Sequence, residues 1–236
     1  MRGSIETDSF YIFPVKGGSP YQNIADTSFL LKINKYNQEI NYFKVSYFIG
    51  QSVTSISKKT SDELIIQGSN YKAPKEYANA DNNQYFAVLN KNTLDTIFLR
   101  EYGFPDRSDV FYRHILTSDG GIFSSGWSFG LQPNDRQSLL VFKCDSNLNQ
   151  QFIKLYSVSQ VNNHFGAEVV ETPDKGFIII GTRQVGNPPD FSNALVIKVD
   201  SAGNLVFWKE IEHNGDTTEL YLTGITKSGV TNYIAV

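Results

Sequence analysis

Residues 166–211 read GAEVVETPDKGFIIIGTRQVGNPPDFSNALVIKVDSAGNLVFWKEI. Four short runs stand out: AEVVET, GFIIIGT, NALVIKV and LVFWKEI. They are rich in Val, Ile and Phe, the side chains that a pleated, half-buried sheet accommodates best. PDKG separates the first two runs and SAGN the last two, and both supply the Asp, Asn or Gly that tight hairpin turns require. The second and third runs are almost continuously apolar, as central strands covered on both faces are. The fourth carries Lys209 and Glu210, and charge on an outermost strand blunts a sheet edge.

Two landmarks show that this paragraph is repeated upstream. A Thr before a turn recurs at Thr60, Thr117, Thr172 and Thr226, in steps of 57, 55 and 54 residues. A strand running into a polar turn recurs at Lys32, Val88, Lys143 and Lys198, in steps of 56, 55 and 55. A period of this length made of four strands predicts an all-β chain, a β-propeller of four-stranded antiparallel blades. The expected blades are a partial one at 9–46, full ones at 50–102, 108–156 and 164–211, and a partial one at 219–236. They form one domain over 9–236, either a four-bladed ring closed by Leu220–Thr226 joining the N-terminal strands, or part of a larger propeller. An unclosed face would expose several hundred Å² of apolar surface, on the order of 10 kcal/mol as an upper bound, and would drive self-association.

TSDGGIFSSG from Thr117, ETPDKGFIIIG from Glu171, ALVIKVDSAGNLVFWKEI from Ala194 and LDTIFLREYG from Leu94 closely resemble the secreted repeat propellers of Bacteroidota. The likeness spans about residues 28–227 and rests on turn and strand residues, so it speaks to architecture. It implies a protein exported by the type IX route to the cell surface or beyond. Leu64 departs from the pattern, standing where the second turn glycine belongs.

Composition narrows the function. Net charge is −3 without a basic stripe, which argues against nucleic acid as partner. No apolar run reaches the roughly 18 residues of a membrane span. The single Cys144 excludes an internal disulfide framework and reads as a small core residue. MRGSIETD, residues 1–8, reads as a leader or tag rather than a signal peptide, since it has no apolar core.

Antiparallel alternation places the short turns at one end of the sheets and the long loops at the other. The long-loop end carries Tyr71, Tyr77, Trp127, Phe129, Arg183 and Phe191. Aromatic rings beside amides and Arg suit a glycan or protein ligand, because rings stack and amides orient. The same rings can instead pack down their own loops. Thr117-Ser-Asp119-Gly-Gly121 and Thr172-Pro-Asp174-Lys-Gly176 echo the start of an Asp-box, but Ser124 and Ile179 replace its Trp, so a turn-stabilising role is expected. Asp145-Ser-Asn147-Leu-Asn149 opens like a calcium loop and then fails at Gln150 and Tyr156, leaving an Asn-rich hairpin turn. His114, His164 and His213 share no metal-ligand spacing and read as surface residues. Among the loop-side acids Asp109, Asp135, Asp190 and Glu168, nothing singles out the pair a glycosidase needs. No catalytic residue, metal or cofactor is therefore assigned. The reading is a binding or display module. A carbohydrate-active enzyme is the alternative, and a purely structural spacer the third possibility.

Overall fold

The computed structural model describes residues 4–17, 27–45, 52–71, 82–130, 137–157, 164–186, 189–212, 220, 222–229 and 232–235. The packing of the chain divides it into two units, 1–108 and 109–236.

The first unit holds β1 (Ile5–Glu6), β2 (Phe10–Gly17), β3 (Thr27–Asn34), β4 (Ile40–Val45), β5 (Ser52–Lys58), β6 (Glu63–Tyr71), β7 (Asn82–Asn90) and β8 (Thr96–Tyr102). β1 to β4 form one sheet in chain order. Residues 5 and 6, read as leader, thus pair with Ile12 and Tyr11. β5 to β8 also pair in succession, antiparallel throughout. The inner strand β7, NNQYFAVLN, is buried on both faces, and outer β8 alternates toward solvent. The two strand groups face each other through one apolar cluster that includes Ile12, Leu30, Ile56, Leu64, Ile66, Tyr85 and Leu89.

The second unit begins within β9 (Arg107–Leu116) and holds β10 (Ile122–Gly130), β11 (Gln137–Cys144), β12 (Gln150–Tyr156), β13 (His164–Glu171), β14 (Phe177–Gly186), β15 (Pro189–Val199) and β16 (Leu205–Ile211). A hairpin of β17 (Ile225–Lys227) and β18 (Tyr233–Ala235) ends it. Here too two sheets face each other. Phe123, Leu139 and Val141 of one meet Val169, Phe177, Ile179, Leu195 and Ile197 of the other. The rings of Phe123 and Phe177 stack at 3.8 Å between centroids. Each such side chain removed from water contributes about 1.5–3 kcal/mol. Gly166 lets the sheets approach: a Cβ there would lie 2.8 Å from Leu139 Cδ1 and 3.1 Å from Ser125 Cβ. Cys144 is fully buried on β11.

The β-propeller expectation is not met. Among the described residues, 18 strands assemble into sheets of four, eight, four and two strands rather than separate four-stranded blades. One parallel pairing, Asn82 with Ser108, links β7 to the start of β9, and the sheet counted through it holds eight strands. Among the described residues no ring closes: β17 pairs with β18, and the place beside β2 belongs to β1. Within each unit the layering of facing sheets is sandwich-like. The physical reason is that hydrophobic period and turn residues specify local hairpins, whereas the link between one quartet of strands and the next is made by backbone groups that no side-chain pattern encodes. Among the described residues no helix is long and apolar enough to cross a membrane.

Candidate functional site

The short-turn end is self-satisfied. In Thr117-Ser-Asp119-Gly-Gly121 the Asp119 carboxylate accepts from Lys143 Nζ at 2.8 Å, from the Thr117 hydroxyl and from Gly121 N at 3.1 Å. The next repeat does the same: Asp174 accepts from Lys198 Nζ at 2.7 Å, from the Thr172 hydroxyl and from Gly176 N at 3.3 Å. The Lys143 bond, then the Thr117 bond, hold the Asp119 carboxyl down at about 2. Lys198 and Thr172 push Asp174 lower in the same way. Both lysines are buried along their stems. Asp145 accepts from Asn147 N, Asn149 N and Asn149 Nδ2, each at 2.8 Å, and Asp200 repeats this with Ala202 and Asn204. Asp145 and Asp200 close their own hairpin turns, and Asp119 and Asp174 link their turns to a lysine of a neighbouring strand.

Side chains at this end also bond across the sheets of the second unit. Glu171 accepts from Ser118 N and Oγ, Lys154 Nζ donates to Ala202 O and Asn204 Oδ1, and the Tyr156 hydroxyl donates to Gly203 O. Burial, then the charge of Asp200, raises the Tyr156 hydroxyl to about 12, so it stays a donor.

The opposite end of the second unit's sheets carries a second group of polar and aromatic side chains, and there the expected long loop around Arg183 and Phe191 is almost all strand, since β14 runs to Gly186 and β15 starts at Pro189. On β10, Trp127 and Phe129 follow Phe123 at two-residue steps, and the β10–β11 register is unbroken from 122 to 129. They therefore lie on the side that carries the apolar cluster. On β14, Arg183 follows Ile179 by the same step, and Asn193 stands opposite it on β15. Trp208 and Glu210 of β16 pair with Ile197 and Leu195, which share that face. The two facing sheets thus carry, on the faces of their apolar cluster, two aromatics on one side and an Arg, an Asn and a Glu on the other.

The polar half is organised around Glu210. Arg183 Nη1 donates to Glu210 Oε1 at 2.5 Å, Asn193 Nδ2 reaches Oε2 at 3.5 Å, and Trp208 Nε1 reaches Oε1 at 3.5 Å. Arg183 and Glu210 keep 20% and 16% of their side chains exposed, so the pair is screened yet reachable. On the other sheet, Trp127 Nε1 donates to the Tyr112 hydroxyl at 3.1 Å, and both rings are half-buried.

Of the residues expected from sequence, Trp127, Phe129 and Arg183 take their places on these strands rather than in loops. Tyr71 ends β6 in the first unit and Phe191 lies on β15 opposite Val185, the side chains of both lying outside the described set. Tyr77, Asp135 and His213 lie outside the described residues. Sequence reading missed Glu210, Asn193, Trp208 and Tyr112. The recurrence of Glu at 101 and 210 in the fourth strand was the available signal, since Glu101 also accepts from an amide, Asn70 Nδ2, at 2.7 Å.

His114 is a correction. It is buried at 5% exposure on β9, not on the surface, and burial followed by the charge of Arg113 lowers its pKa to about 4. Of the acids, Glu168 is held by Arg113 Nη1 at 2.7 and 2.8 Å, and Asp109 is fully buried. Among the described residues no cluster of His, Cys, Asp and Glu is arranged to hold a metal.

No family profile matches the chain, and no curated protein does. Among solved structures the chain is similar to the crystal structure of a protein of unknown function from Dyadobacter fermentans, with a TM-score of 0.61 and 11% identity. The match covers 88% of this chain and 67% of that one. At that identity the likeness concerns the fold.

Proposed function

We propose that the protein is an exported all-β repeat module that binds a glycan or a protein at the long-loop end of its second unit. The observation that carries the reading is the contrast between the two ends. Turn carboxylates at one end are held by a neighbouring strand's lysine and by their own Thr and Gly N, while Trp127 and Phe129 lie on one sheet and Arg183, Asn193 and Glu210 on the sheet that faces it. Rigid aromatics beside fixed amide and guanidinium donors are the chemistry of a binding face. The turn phrases shared with secreted repeat proteins support placement outside the cell.

A spacer is the second reading, favoured by the bond between Trp127 and Tyr112, which packs the indole onto its own sheet. A thermal melt against a panel of oligosaccharides separates the two. A bound ligand at about 100 times its Kd adds roughly 2.7 kcal/mol, some 5–10 °C for a chain of this size. A shift that Trp127→Ala abolishes supports the module. A cooperative melt that no sugar and no candidate protein partner moves supports the spacer. Release of reducing ends from a polysaccharide would make the protein an enzyme instead.

A further inference from the structure

In the second unit the outermost strand of one sheet receives a turn of the other. On β12, Lys154 Nζ donates to Ala202 O and to Asn204 Oδ1, both at 2.9 Å, and the Tyr156 hydroxyl donates to Gly203 O. A Cβ on Gly203 would lie 2.7 Å from Phe152 Cε2, so the ring packs against the same turn. Phe152, Lys154 and Tyr156 are alternate residues on one face of β12. β16 carries Phe207, Lys209 and Ile211 at the matching places: Phe207 stands opposite Lys198 as Phe152 stands opposite Lys143. In β12 this face packs into the cluster between the sheets. In β16 it looks the other way, because Trp208 takes the cluster side. The receiver on β16 is in water: Phe207 is 44% exposed, and Lys209 and Ile211 are exposed too. Leu205 and Val206, also exposed, replace the exposed Gln150 and Gln151 of β12 and make the strand more apolar. Among the described residues β16 ends its sheet, and an apolar edge strand is a template for association.

A turn of the matching kind is exposed at β3–β4. Asn34 N donates to Glu39 O as Asp200 N donates to Asn204 O, at 2.9 Å in both. Glu39 thus holds the place of Asn204, the side chain that accepts from Lys154. Tyr36 is 80% exposed, and Asn37, Gln38 and Glu39 are exposed beside it. Gln38 fills the positive-φ position of Gly203. Leu94 has a side chain at that position of the β7–β8 turn and is buried in the first unit's cluster, so a packed turn accommodates one. A carboxylate at 39 and an ammonium at 209 add charge complementarity where the internal contact uses a neutral amide.

We propose that copies of this chain associate head to tail, the β3–β4 turn of one copy seated on β16 of the next with Glu39 accepting from Lys209. The contact joins two different patches, so it is heterologous and extends to a ring or a filament rather than stopping at a two-fold dimer. It is independent of any ligand held near Arg183.

Sedimentation velocity and light scattering of the whole chain between about 1 and 500 μM read the association. The expected result is a mean mass that rises with concentration past that of two chains and falls as salt is raised from about 0.05 to 0.5 M. Phe207→Ser, Lys209→Glu and Glu39→Lys should each weaken association at least about tenfold. Each changes an exposed side chain, and a cooperative melt checks that each variant folds. Lys209→Glu and Glu39→Lys combined in one chain should recover association to within about threefold. An equimolar mixture of the two single variants should recover it as well, because each supplies the patch that the other matches. A single-chain mass over the whole range overturns the proposal. So does an assembly that Glu39→Lys leaves intact, which would be the outcome of β16 pairing with β16 of another copy. Failure of the folded double variant and of the mixture to recover overturns it too. None of these results bears on the binding-module reading.

Discussion

Replacing Asp119 by Asn tests the turn lock most sharply. In the second unit this carboxylate accepts hydrogen bonds from Lys143, Thr117 and Gly121 N, and is held at about 2 against an ordinary 3.8. That drop corresponds to about 2.5 kcal/mol at roughly 1.4 kcal/mol per pH unit. Half of the Asp119 side chain, 51%, is in water, so screening reduces the contribution to about 1 kcal/mol. For a chain of this size Asp119→Asn should lower the melting temperature of the second unit by about 2–4 °C at pH 7. The pH signature has a definite sign. A carboxyl with a depressed folded-state pKa stabilises fully above its unfolded value near 4, and the contribution disappears as pH falls toward 2. The gap between the original and the Asn variant should therefore close across that window. Melts or denaturant titrations at pH 7, 4, 3 and about 2 measure it. No gap at pH 7 would refute the lock. A gap unchanged at the acid limit would show that shape rather than charge is responsible.

Three further outcomes follow from the same structure. Gly126→Ala should cost about 3 kcal/mol or more, because the added Cβ would sit 1.8 Å from Val110 O on the adjoining strand, and a denaturation curve within 0.5 kcal/mol of the original would contradict that crowding. Gln38→Gly should stabilise by about 0.5–1 kcal/mol, since exposed Gln38 sits at φ 58° where Gly203 occupies the corresponding turn position at φ 74°, and its melting temperature checks this. His114 is buried and neutral with a pKa of about 4, so stability should fall as pH drops from about 6.5 to 4, where the unfolded chain takes up the proton first; His114→Gln should flatten that fall in pH-dependent melts.

The hairpins were legible because their determinants are local. The run LVIKVDSAGN names a strand, its polar turn and the glycine at φ 74° that the turn needs. The burial of β7 and β11 likewise follows from their apolar continuity, whereas β16 exposes Leu205, Val206 and Phe207 at a sheet edge that its apolar residues do not announce. The candidate site was legible only in part. Trp127, Phe129 and Arg183 stand out as residue types, but their partners do not, because Glu210 lies 27 residues after Arg183 and meets it only through the pairing of β14, β15 and β16. His114 was misplaced since the pattern of β9, RSDVFYRHIL, mixes charged and apolar residues without a clean period.

The sequence alone thus determined an all-β chain and the chemistry of its hairpin turns. All of these are set within a few residues by side-chain period and by turn geometry. The assembly of those strands was decided by tertiary structure alone. Ser108 pairs with Asn82 of β7 through backbone alone, and in the second unit Glu210 reaches Arg183 through the pairing of β14, β15 and β16. Backbone amides are the same at every residue, so such pairings leave no mark in the sequence.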